Sequence, residues 1–387
     1  MKRFPSPWKF GGIILLFLIG IGFRGLALPA VSADMKWFVM PWYDFLKTYG
    51  TKGLGISFSN YTPPYLYLLW LTTLTSNYLP EILAIKAISI LADIVNAILI
   101  FRLVRLKYPT GPKPLWASAL FWVLPTIILN SSLWGQADAL YTLFLLVCLY
   151  FILTDRPLLG VLAFGIAFTF KAQAIFISPV LIILYFKKRI AWQHFLLVPL
   201  AYILLCSPAI LLGRHWIDIF TIYLSQASTY HDLSRNASNL YIFMNSAPYD
   251  LGVTIGLIVT AVAISCWIGF NVRAKAELGR STILFMSLVS AGLVPFLLPK
   301  MLDRYFYPAD ILSLLAAFYL PELWFVPILY QFISASADLV SLFNAPLLLI
   351  EIAAVINLLT IGFLIWKQAR TFLLTLSPQA LSKESST

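Results

Sequence analysis

The sequence predicts an all-α polytopic membrane protein with about twelve transmembrane helices, within a range of roughly 11 to 13. Of its 387 residues, 60% are hydrophobic and only 11% are charged. Long apolar stretches alternate with short segments rich in Lys and Arg, which is the pattern of helices that cross a bilayer repeatedly. The three cysteines lie inside apolar stretches and show neither a disulfide framework nor a metal-ligand spacing.

The first predicted span covers residues 10–28, and Lys2, Arg3 and Lys9 precede it. Because cations are retained on the cytoplasmic side of a membrane, the N-terminus is predicted to be cytoplasmic. Many further spans follow, so this segment is not interpreted as a cleaved signal peptide.

The other cation clusters fall on the same side if a series of further spans follows. These predicted spans are 81–104, 115–131, 137–153, 157–170, 172–186, 193–213, 251–271, 281–298, 305–320, 323–343 and 346–366. Both termini are then cytoplasmic. Residues 1–370 form a single transmembrane domain, and residues 371–387 form a cytoplasmic tail.

Two parts of this topology are less regular than the rest. The segments 157–170 and 172–186 are shorter than the ~20 residues that a spanning helix needs, so a tilted or broken pair near Lys171 is expected. The turn at 320–323 carries no cation. The net charge of +11 mostly reflects the topology signal, and no soluble basic domain exists that would bind nucleic acid.

Two predicted external segments are long enough to build a site. In the first external loop, 29–79, aromatic and aliphatic residues recur at helical spacing from Trp37 to Tyr49, which predicts a helix lying in the membrane interface. Tandem prolines at 63 and 64 open a second interfacial helix over 63–79. The second large external loop, 214–250, is rich in polar and aromatic residues.

Carboxylates at the external ends of two spans are candidates for chemistry. Asp34 follows the first span, where a carboxylate could take a proton from an aqueous hydroxyl while another reactant stays in lipid. An N-cap of the following helix is the alternative role for Asp34. Asp138 opens another span and has a similar alternative as a helix-terminal carboxylate. Trp134 and Gln136 beside it offer a flat ring and an amide for a carbohydrate.

Four cations on the same predicted side are candidates for binding a phosphate. Lys171 interrupts an apolar stretch, where a Lys needs an anionic partner or a wet cavity. Lys300 and Arg304 lie close together, and Arg235 lies in the second external loop. Arg offers a bidentate fork to a phosphate.

These motifs together resemble the GT-C superfamily of membrane glycosyltransferases, and most closely the bacterial relatives of GPI mannosyltransferase II. The resemblance covers nearly the whole chain and is carried by Asp34 after the first span, followed by "PWYDFLKTYG", "NYTPPYLYL", "LWGQADALYT", "KAQAIF", "NASNLY" and "DRYFYPAD". The chain departs from the family in having one carboxylate in Ser32-Ala33-Asp34, and in having Leu302 and Asp303 where the family-like sequence is His-Glu.

The resemblance implies an inverting hexosyltransferase, with mannose as the favoured sugar and an extracytoplasmic site. A polyprenyl-phosphate sugar would be the donor, and a lipid-linked or cell-surface glycan the acceptor. Asp34 would be the general base, and no metal or other cofactor is required. Lys300, Arg304, Lys171 and Arg235 would hold the donor phosphate. The sugar and acceptor contacts would be Asn60, Tyr61, Trp134, Gln136, Asp138 and Asn239.

Two other classes of function remain open on the sequence. A transporter or flippase of lipid-linked sugars would place ionisable groups near the midplane and show repeated halves. Asp93, Asp338 and Glu351 do lie within apolar spans, but no repeat is visible. A polysaccharide polymerase or ligase would also use external Arg residues and a lipid phosphate.

Overall fold

The computed structural model describes residues 7–244, 248–275 and 278–374, which form one predominantly α-helical bundle. Lys2 and Arg3, and nearly all of the tail predicted at 371–387, lie outside the described residues. The described part confirms an all-α fold, with a single pair of two-residue strands.

Helices account for most of the described chain. The α-helices are Pro7–Ala27, Met40–Tyr49, Pro63–Thr73, Glu81–Lys107, Lys113–Trp122, Pro125–Ile128, Asp138–Leu153, Pro157–Phe170, Ser178–Phe186, Leu197–Leu211, Trp216–Phe220, Ile222–Ser228, Tyr249–Arg273, Arg280–Leu297, Tyr307–Tyr319, Val326–Phe343 and Leu348–Leu374. Short 3-10 helices occupy Gly50–Gly55, Ala172–Ile177, Trp192–Leu196, Leu240–Met244, Asp303–Phe306 and Pro321–Leu323. The π-helical turns are Met35–Val39 and Leu129–Trp134, and the strands are Ser234–Arg235 and Met301–Leu302.

The structure shows a multi-pass membrane protein, but it does not confirm twelve crossings. Among the described residues, seven helices are long and apolar enough to cross a membrane, or eight if the pair Lys113–Trp122 and Pro125–Trp134, bent by 51°, is one span. Every predicted span does have a helical counterpart. Several are too short, because the 16 residues of Asp138–Leu153 reach about 24 Å and the hydrocarbon core measures ~30 Å.

The two helices predicted in the first external loop are present. The first runs through Met35–Val39 and Met40–Tyr49, and the second is Pro63–Thr73. At 11 residues, Pro63–Thr73 reaches about 16 Å and cannot cross the bilayer alone. This length agrees with a non-spanning segment, and its orientation at the membrane interface stays a prediction.

The cationic helix ends meet at one end of the bundle. Arg280 donates to the backbone carbonyls of Leu153 (3.1 Å) and Leu106 (2.9 Å). Lys367 pairs with Glu322 at 3.1 Å, which brings the cation-free turn at 320–323 to the same end. The predicted clusters therefore share one end of the molecule, as the positive-inside pattern requires, and the side of the membrane stays a prediction.

An ion pair inside the bundle accounts for two of the charges within apolar spans. Arg24 of Pro7–Ala27 contacts Asp93 of Glu81–Lys107 at 3.1 Å, and both side chains are buried. The Arg24 guanidinium also stacks on Trp122, 3.7 Å from the ring centroid, and donates to the Trp122 carbonyl at 2.6 Å. Asp93 is therefore part of the helix packing.

Candidate active site

Helix direction places the predicted site residues at the end opposite the cation clusters. Asp138–Leu153 begins at the site and ends at the cationic end, and Pro157–Phe170 returns and ends beside Lys171. Tyr307–Tyr319 again runs from the site to the cationic end, and it begins directly after Asp303–Phe306, the short helix that carries Arg304. Residues that are distant in sequence are thus brought together by consecutive helix ends.

Asp34 lies at the centre of this convergence. Its Oδ2 atom accepts hydrogen bonds from Gln136 Nε2 at 2.8 Å and from Trp134 Nε1 at 3.2 Å. Arg304 Nη1 lies 3.4 Å from the same oxygen. The Asp34 side chain is 30% exposed, and no hydrogen bond of the described residues involves Oδ1. The carboxylate is therefore held in one orientation by Oδ2 while Oδ1 can meet a ligand.

The alternative role of Asp34 as a helix N-cap is not observed. Asp34 occupies the N-cap position before Met35–Val39, but its side chain accepts no capping hydrogen bond. The hydroxyl of Ser32 accepts from the Met35 backbone N–H at 3.1 Å and donates to the Trp134 carbonyl at 3.0 Å. Ser32 thus performs the local structural task and leaves the Asp34 carboxylate facing the site.

Asp138 is in a different environment from Asp34, because it is fully buried. Lys171 Nζ contacts Asp138 Oδ1 at 2.5 Å, and Asn130 Nδ2 donates to Oδ2 at 3.0 Å. Asp138 also starts its helix, as expected for a helix-terminal carboxylate. Lys171 is extended between Pro157–Phe170 and Ala172–Ile177, so the predicted break there is confirmed, and its required anionic partner is Asp138.

Arg304 links the two carboxylates. Its Nε atom lies 3.6 Å from Asp138 Oδ2, and its Nη1 atom lies 3.1 Å from Asp303 Oδ1 as well as 3.4 Å from Asp34. Burial opposes the charge of Arg304, but the three neighbouring carboxylates outweigh burial and raise the pKa of its guanidinium. Burial also raises the pKa of Asp303, although Arg304 counteracts it.

Backbone geometry explains how Trp134 and Gln136 reach Asp34. The π-helical turn Leu129–Trp134 ends at Gly135, whose φ of +74° is a left-handed conformation that glycine adopts without strain. The turn redirects the chain immediately before Asp138, so Trp134 and Gln136 both contact Asp34. Trp134 and the fully buried Asp138 do not line the Asp34 pocket itself. The apolar pattern of this segment predicted a helix but not the tight turn.

Lys300 and Arg235 form a second group, separate from Arg304 and Lys171. The strands Ser234–Arg235 and Met301–Leu302 pair in parallel, and the Lys300 N–H donates to the Leu233 carbonyl at 2.7 Å. Lys300 has a backbone φ of +64°, a left-handed conformation that residues other than glycine rarely adopt. The pairing of two loops fixes this unusual backbone and places both cations in one cavity.

Two adjoining cavities contain most of the predicted site residues. The Asp34 pocket is lined by Asp34, Asn60, Tyr61, Gln136, Lys171 and Arg304, with an aromatic wall of Phe38, Trp42, Phe170, Tyr230 and Tyr305. The Lys300 pocket, of about 620 Å³, is lined by Lys300, Arg235, His231, Asp232 and Tyr249 and by apolar residues that include Val253, Leu257 and Leu298. Gln226, Tyr230, Leu302 and Tyr305 line both.

The remaining predicted sugar contacts divide into two groups. Tyr61 donates to Gln136 Oε1 at 3.4 Å and packs against Trp42, with ring centroids 5.2 Å apart; burial raises its pKa above the ordinary value. Asn60 lines the pocket beside it. Asn239 is instead fully buried, where it donates to the Leu298 carbonyl and accepts from the Tyr241 N–H. Its position serves loop packing, and it lines neither pocket.

Sequence reasoning missed several residues of the site. Gln226, Tyr230 and Tyr305 carry no motif that distinguishes them from helix or loop residues, although Tyr305 lies within the "DRYFYPAD" segment. Asn130 begins an Asn-Ser-Ser sequon, but that motif does not indicate a contact with Asp138. Only their spatial position beside Asp138 and the two pockets reveals them. No group of three or more His, Cys, Asp or Glu side chains arranged to hold a metal ion occurs in the part of the chain that the structure describes.

Part of the chain is similar in sequence to known proteins. No protein-family model matches the chain. GPI mannosyltransferase 1 of Saccharomyces cerevisiae is 26% identical to it, over 63% of this chain and 63% of the relative. GPI mannosyltransferase 1 of Kluyveromyces lactis is 26% identical, over 62% of this chain and 61% of the relative. The chain thus spans about three fifths of the length of these curated relatives.

These similarities support the coarser part of the resemblance seen in the sequence. Both relatives are named as mannosyltransferases, which agrees with the membrane glycosyltransferase class that the sequence motifs resemble. The narrower resemblance to bacterial relatives of GPI mannosyltransferase II stays a prediction, since both relatives are GPI mannosyltransferase 1.

Proposed function

We propose that this protein transfers a mannosyl or another hexosyl group from a polyprenyl-phosphate sugar to a lipid-linked or cell-surface glycan, with inversion at the anomeric carbon. The observation that carries this proposal is the position of Asp34. It is the carboxylate that lines the Asp34 pocket, where its neighbours are aromatic rings and two cations. Similarity to two mannosyltransferases supports the same class of reaction.

The Lys300 pocket suits the phosphate and the first part of the donor lipid. Lys300 and Arg235 provide positive charge, and Tyr249 contacts the Lys300 ammonium. Val253 and Leu257 come from Tyr249–Arg273, a helix whose surface is largely exposed and apolar, as expected for contact with lipid. A polyprenyl chain could lie along this helix while its phosphate meets the cations.

The sugar would then extend into the Asp34 pocket, which shares Tyr230, Leu302 and Tyr305 with the Lys300 pocket. An acceptor hydroxyl attacks the anomeric carbon from the face opposite the phosphate. The bond from that carbon to the phosphate oxygen breaks, and Asp34 accepts the hydroxyl proton. The phosphate leaves with the bonding electron pair, and cations near it stabilise the developing charge.

In this proposal, Arg304 and Lys171 have tasks that differ from simple phosphate binding. Both are already paired with carboxylates, Arg304 with three and Lys171 with Asp138. A phosphate would have to compete with these partners, whereas Lys300 and Arg235 have weaker ones. Arg304 therefore primarily positions Asp34 and offers its charge to the edge of the sugar pocket.

The predicted side of the membrane can be tested directly. Single cysteines placed at positions 52 and 188, in a chain without its natural cysteines, are expected to react with an impermeant reagent from opposite sides of sealed cells. Position 52 lies in the first external loop, and position 188 lies in the cation cluster that follows Ser178–Phe186. Equal labelling of both positions from outside would contradict the extracytoplasmic site.

The activity requires a transfer assay with defined substrates. Purified protein in liposomes is given radiolabelled polyprenyl-phosphate mannose and a mixture of membrane glycolipids, with polyprenyl-phosphate glucose in a parallel reaction. Transfer of label to a glycolipid or glycan supports the proposal. Movement of intact donor across the bilayer without transfer would indicate a flippase, and growth of a long labelled polymer would indicate a polymerase.

A further inference from the structure

Arg214, at the start of the second external loop, is buried with two of its guanidinium nitrogens lacking hydrogen-bond partners, and Asp218 is the nearby carboxylate that acts on its charge. Only 2% of the residue is exposed, and neither Nε nor Nη1 has a hydrogen-bond partner. None of the ion pairs formed by the described residues involves it. An unpaired buried charge is costly, so its guanidinium is an incomplete binding group.

The side chain lines a cavity of about 450 Å³, here called the Arg214 pocket. Most of its other polar lining is uncharged and comes from Ser57, Ser59, Asn60, Thr221 and Ser225. The Asn60 side-chain oxygen is also buried without a hydrogen-bond partner. The cavity therefore offers a cation, several neutral hydrogen-bonding groups and one carboxylate, Asp218. The cation and the neutral groups suit a phosphate attached to a polar molecule, and Asp218 would reduce its affinity.

The backbone holds Arg214 firmly in this position. The Arg214 N–H donates to the Ala209 carbonyl at 3.0 Å, and Gly213 before it has a φ of +112°. A Cβ atom added to Gly55 would lie 2.1 Å from the Leu212 carbonyl oxygen, so the first external loop packs closely against this turn. The guanidinium is therefore preorganised between two loops and does not swing freely at the surface.

The Arg214 pocket adjoins the Asp34 pocket through residues that do not line the Lys300 pocket. Phe38, Trp42 and Asn60 line both the Arg214 and the Asp34 pockets. None of these three lines the Lys300 pocket. The helix Ile222–Ser228 separates the two outer pockets, with Ser225 lining the Arg214 pocket and Gln226 lining the Lys300 pocket. A molecule seated on Arg214 can thus present a hydroxyl to Asp34 while the donor enters from Lys300.

We infer that the Arg214 pocket is the acceptor subsite and that it binds a phosphate group carried by the acceptor. The planar guanidinium can bind two phosphate oxygens, and Trp42 and Phe38 provide flat rings beside the adjoining sugar. The inference rests on the proposed transferase function, because it names the chemical class of the acceptor. The phosphate belongs either to the acceptor glycan or to the lipid headgroup that carries the glycan.

A binding experiment tests this subsite without requiring turnover. The full chain in phosphatidylcholine nanodiscs is titrated with mannose 6-phosphate, with mannose and with dioctanoyl phosphatidic acid, and tryptophan fluorescence gives the affinities. Arg214→Gln is expected to weaken binding of at least one phosphate probe by about ten- to a hundred-fold and to leave mannose unaffected. An Arg214-dependent effect confined to mannose 6-phosphate places the phosphate on the glycan, and one confined to phosphatidic acid places it on the lipid.

Two further variants keep the test independent of misfolding at Arg214. Asp218 also lines the pocket and forms no ion pair in the described part of the chain, so Asp218→Asn is expected to strengthen phosphate binding. Lys52→Gln removes an exposed cation from the first external loop, outside the pocket, and is expected to change nothing. Equal affinities of the original protein and Arg214→Gln, or no preference for either phosphate probe over mannose, would overturn the inference.

Kinetics separate the failure of this inference from the failure of the proposed function. Where label transfer is observed, Arg214→Gln should raise the acceptor KM by about ten-fold or more and leave the donor KM unchanged. An unchanged acceptor KM would refute the subsite and leave the transferase intact. Absence of transfer with every donor would refute the transferase, and the binding result would still stand by itself.

Discussion

The two cations beside Asp34 form buried ion pairs with carboxylates, whereas the two cations of the Lys300 pocket have weaker or more exposed partners. Lys171 and Arg304 are nearly buried, with side chains 11% and 12% exposed, and both contact carboxylates. Arg235 is 48% exposed and pairs with the equally exposed Asp232 at 3.3 Å. Buried pairs are rigid and costly to break, whereas exposed pairs contribute little and exchange readily.

This difference indicates which cations are available to a substrate. The sequence grouped Lys171, Arg235, Lys300 and Arg304 together because all four lie on the predicted external side. In the structure, Lys171 and Arg304 pair with carboxylates, whereas Arg235 and Lys300 line a cavity with an apolar wall. Position on one side of the membrane is therefore a weaker guide to function than the partners that each charge already has.

The largest effect is expected at Asp34. Asp34→Asn keeps the size of the side chain but cannot accept a proton at neutral pH, so turnover should fall roughly 100- to 10,000-fold. The Asp34 side chain caps no helix, and Arg304 keeps Asp138 and Asp303 as partners in this variant, so the midpoint of thermal unfolding should fall far less than in Arg304→Ala. Single-turnover transfer and donor binding measure the two effects.

The matched control for Asp34 is Asp44→Asn, which removes an exposed carboxylate from Met40–Tyr49. It is expected to retain activity. Near-normal turnover of Asp34→Asn would assign the base to another carboxylate, and the comparison of the two pockets would lose its chemical centre.

Arg304→Ala should be the most destabilising substitution among the four cations. It leaves Asp34, Asp138 and Asp303 without their shared guanidinium, and breaking a buried pair costs about 3–5 kcal/mol. Lys300→Ala should cost less than about 1 kcal/mol, as expected for a partly exposed cation without a carboxylate partner. Arg304→Lys keeps the charge but loses the fork, so its unfolding midpoint should lie between those of the original protein and Arg304→Ala. Equal stabilities of Arg304→Ala and Lys300→Ala would contradict the contrast.

Lys300→Gln should act on donor affinity. Losing a charged hydrogen bond to phosphate costs about 1.5–3 kcal/mol, so the donor KM should rise by roughly ten- to a hundred-fold, and kcat at saturating donor should persist. Lys52→Gln provides the control for a general loss of positive charge. If Lys300→Gln leaves the donor KM unchanged, the phosphate site must be sought at Arg304 and Lys171.

The smallest effects come from paired substitutions that compare the two regions directly. A double-mutant cycle of Lys171→Met with Asp138→Asn should give a coupling energy of about 0.5–3 kcal/mol. The same cycle with Arg235→Met and Asp232→Asn should give about 0–1 kcal/mol, because that pair is half exposed. Unfolding midpoints of the four variants in each cycle provide the measurement, and a larger coupling at Arg235 would reverse the interpretation.

Local composition was sufficient to predict the helices, the two short helices of the first external loop and the ends that carry cations. Apolar runs and cation clusters act over a few turns of chain, so they can be interpreted without the fold. The convergence of Asp34, Trp134, Gln136 and Arg304 followed from the predicted order of spans, and the structure places these residues together. The number of complete crossings did not follow, because packing allows short helices such as Asp138–Leu153 inside the bundle.

The tertiary structure alone decided which partner each polar group has. Gln136 and Asp34 are 102 positions apart, and Lys171 and Asp138 are 33 apart. No local pattern specifies such contacts, since they depend on how helix ends and loops meet. The same reason explains the positive φ of Lys300, which is stabilised by pairing with the second external loop, and the absence of a partner for the buried nitrogens of Arg214. Sequence determined where the charges lie along the chain, and folding determined which of them are left to bind a substrate.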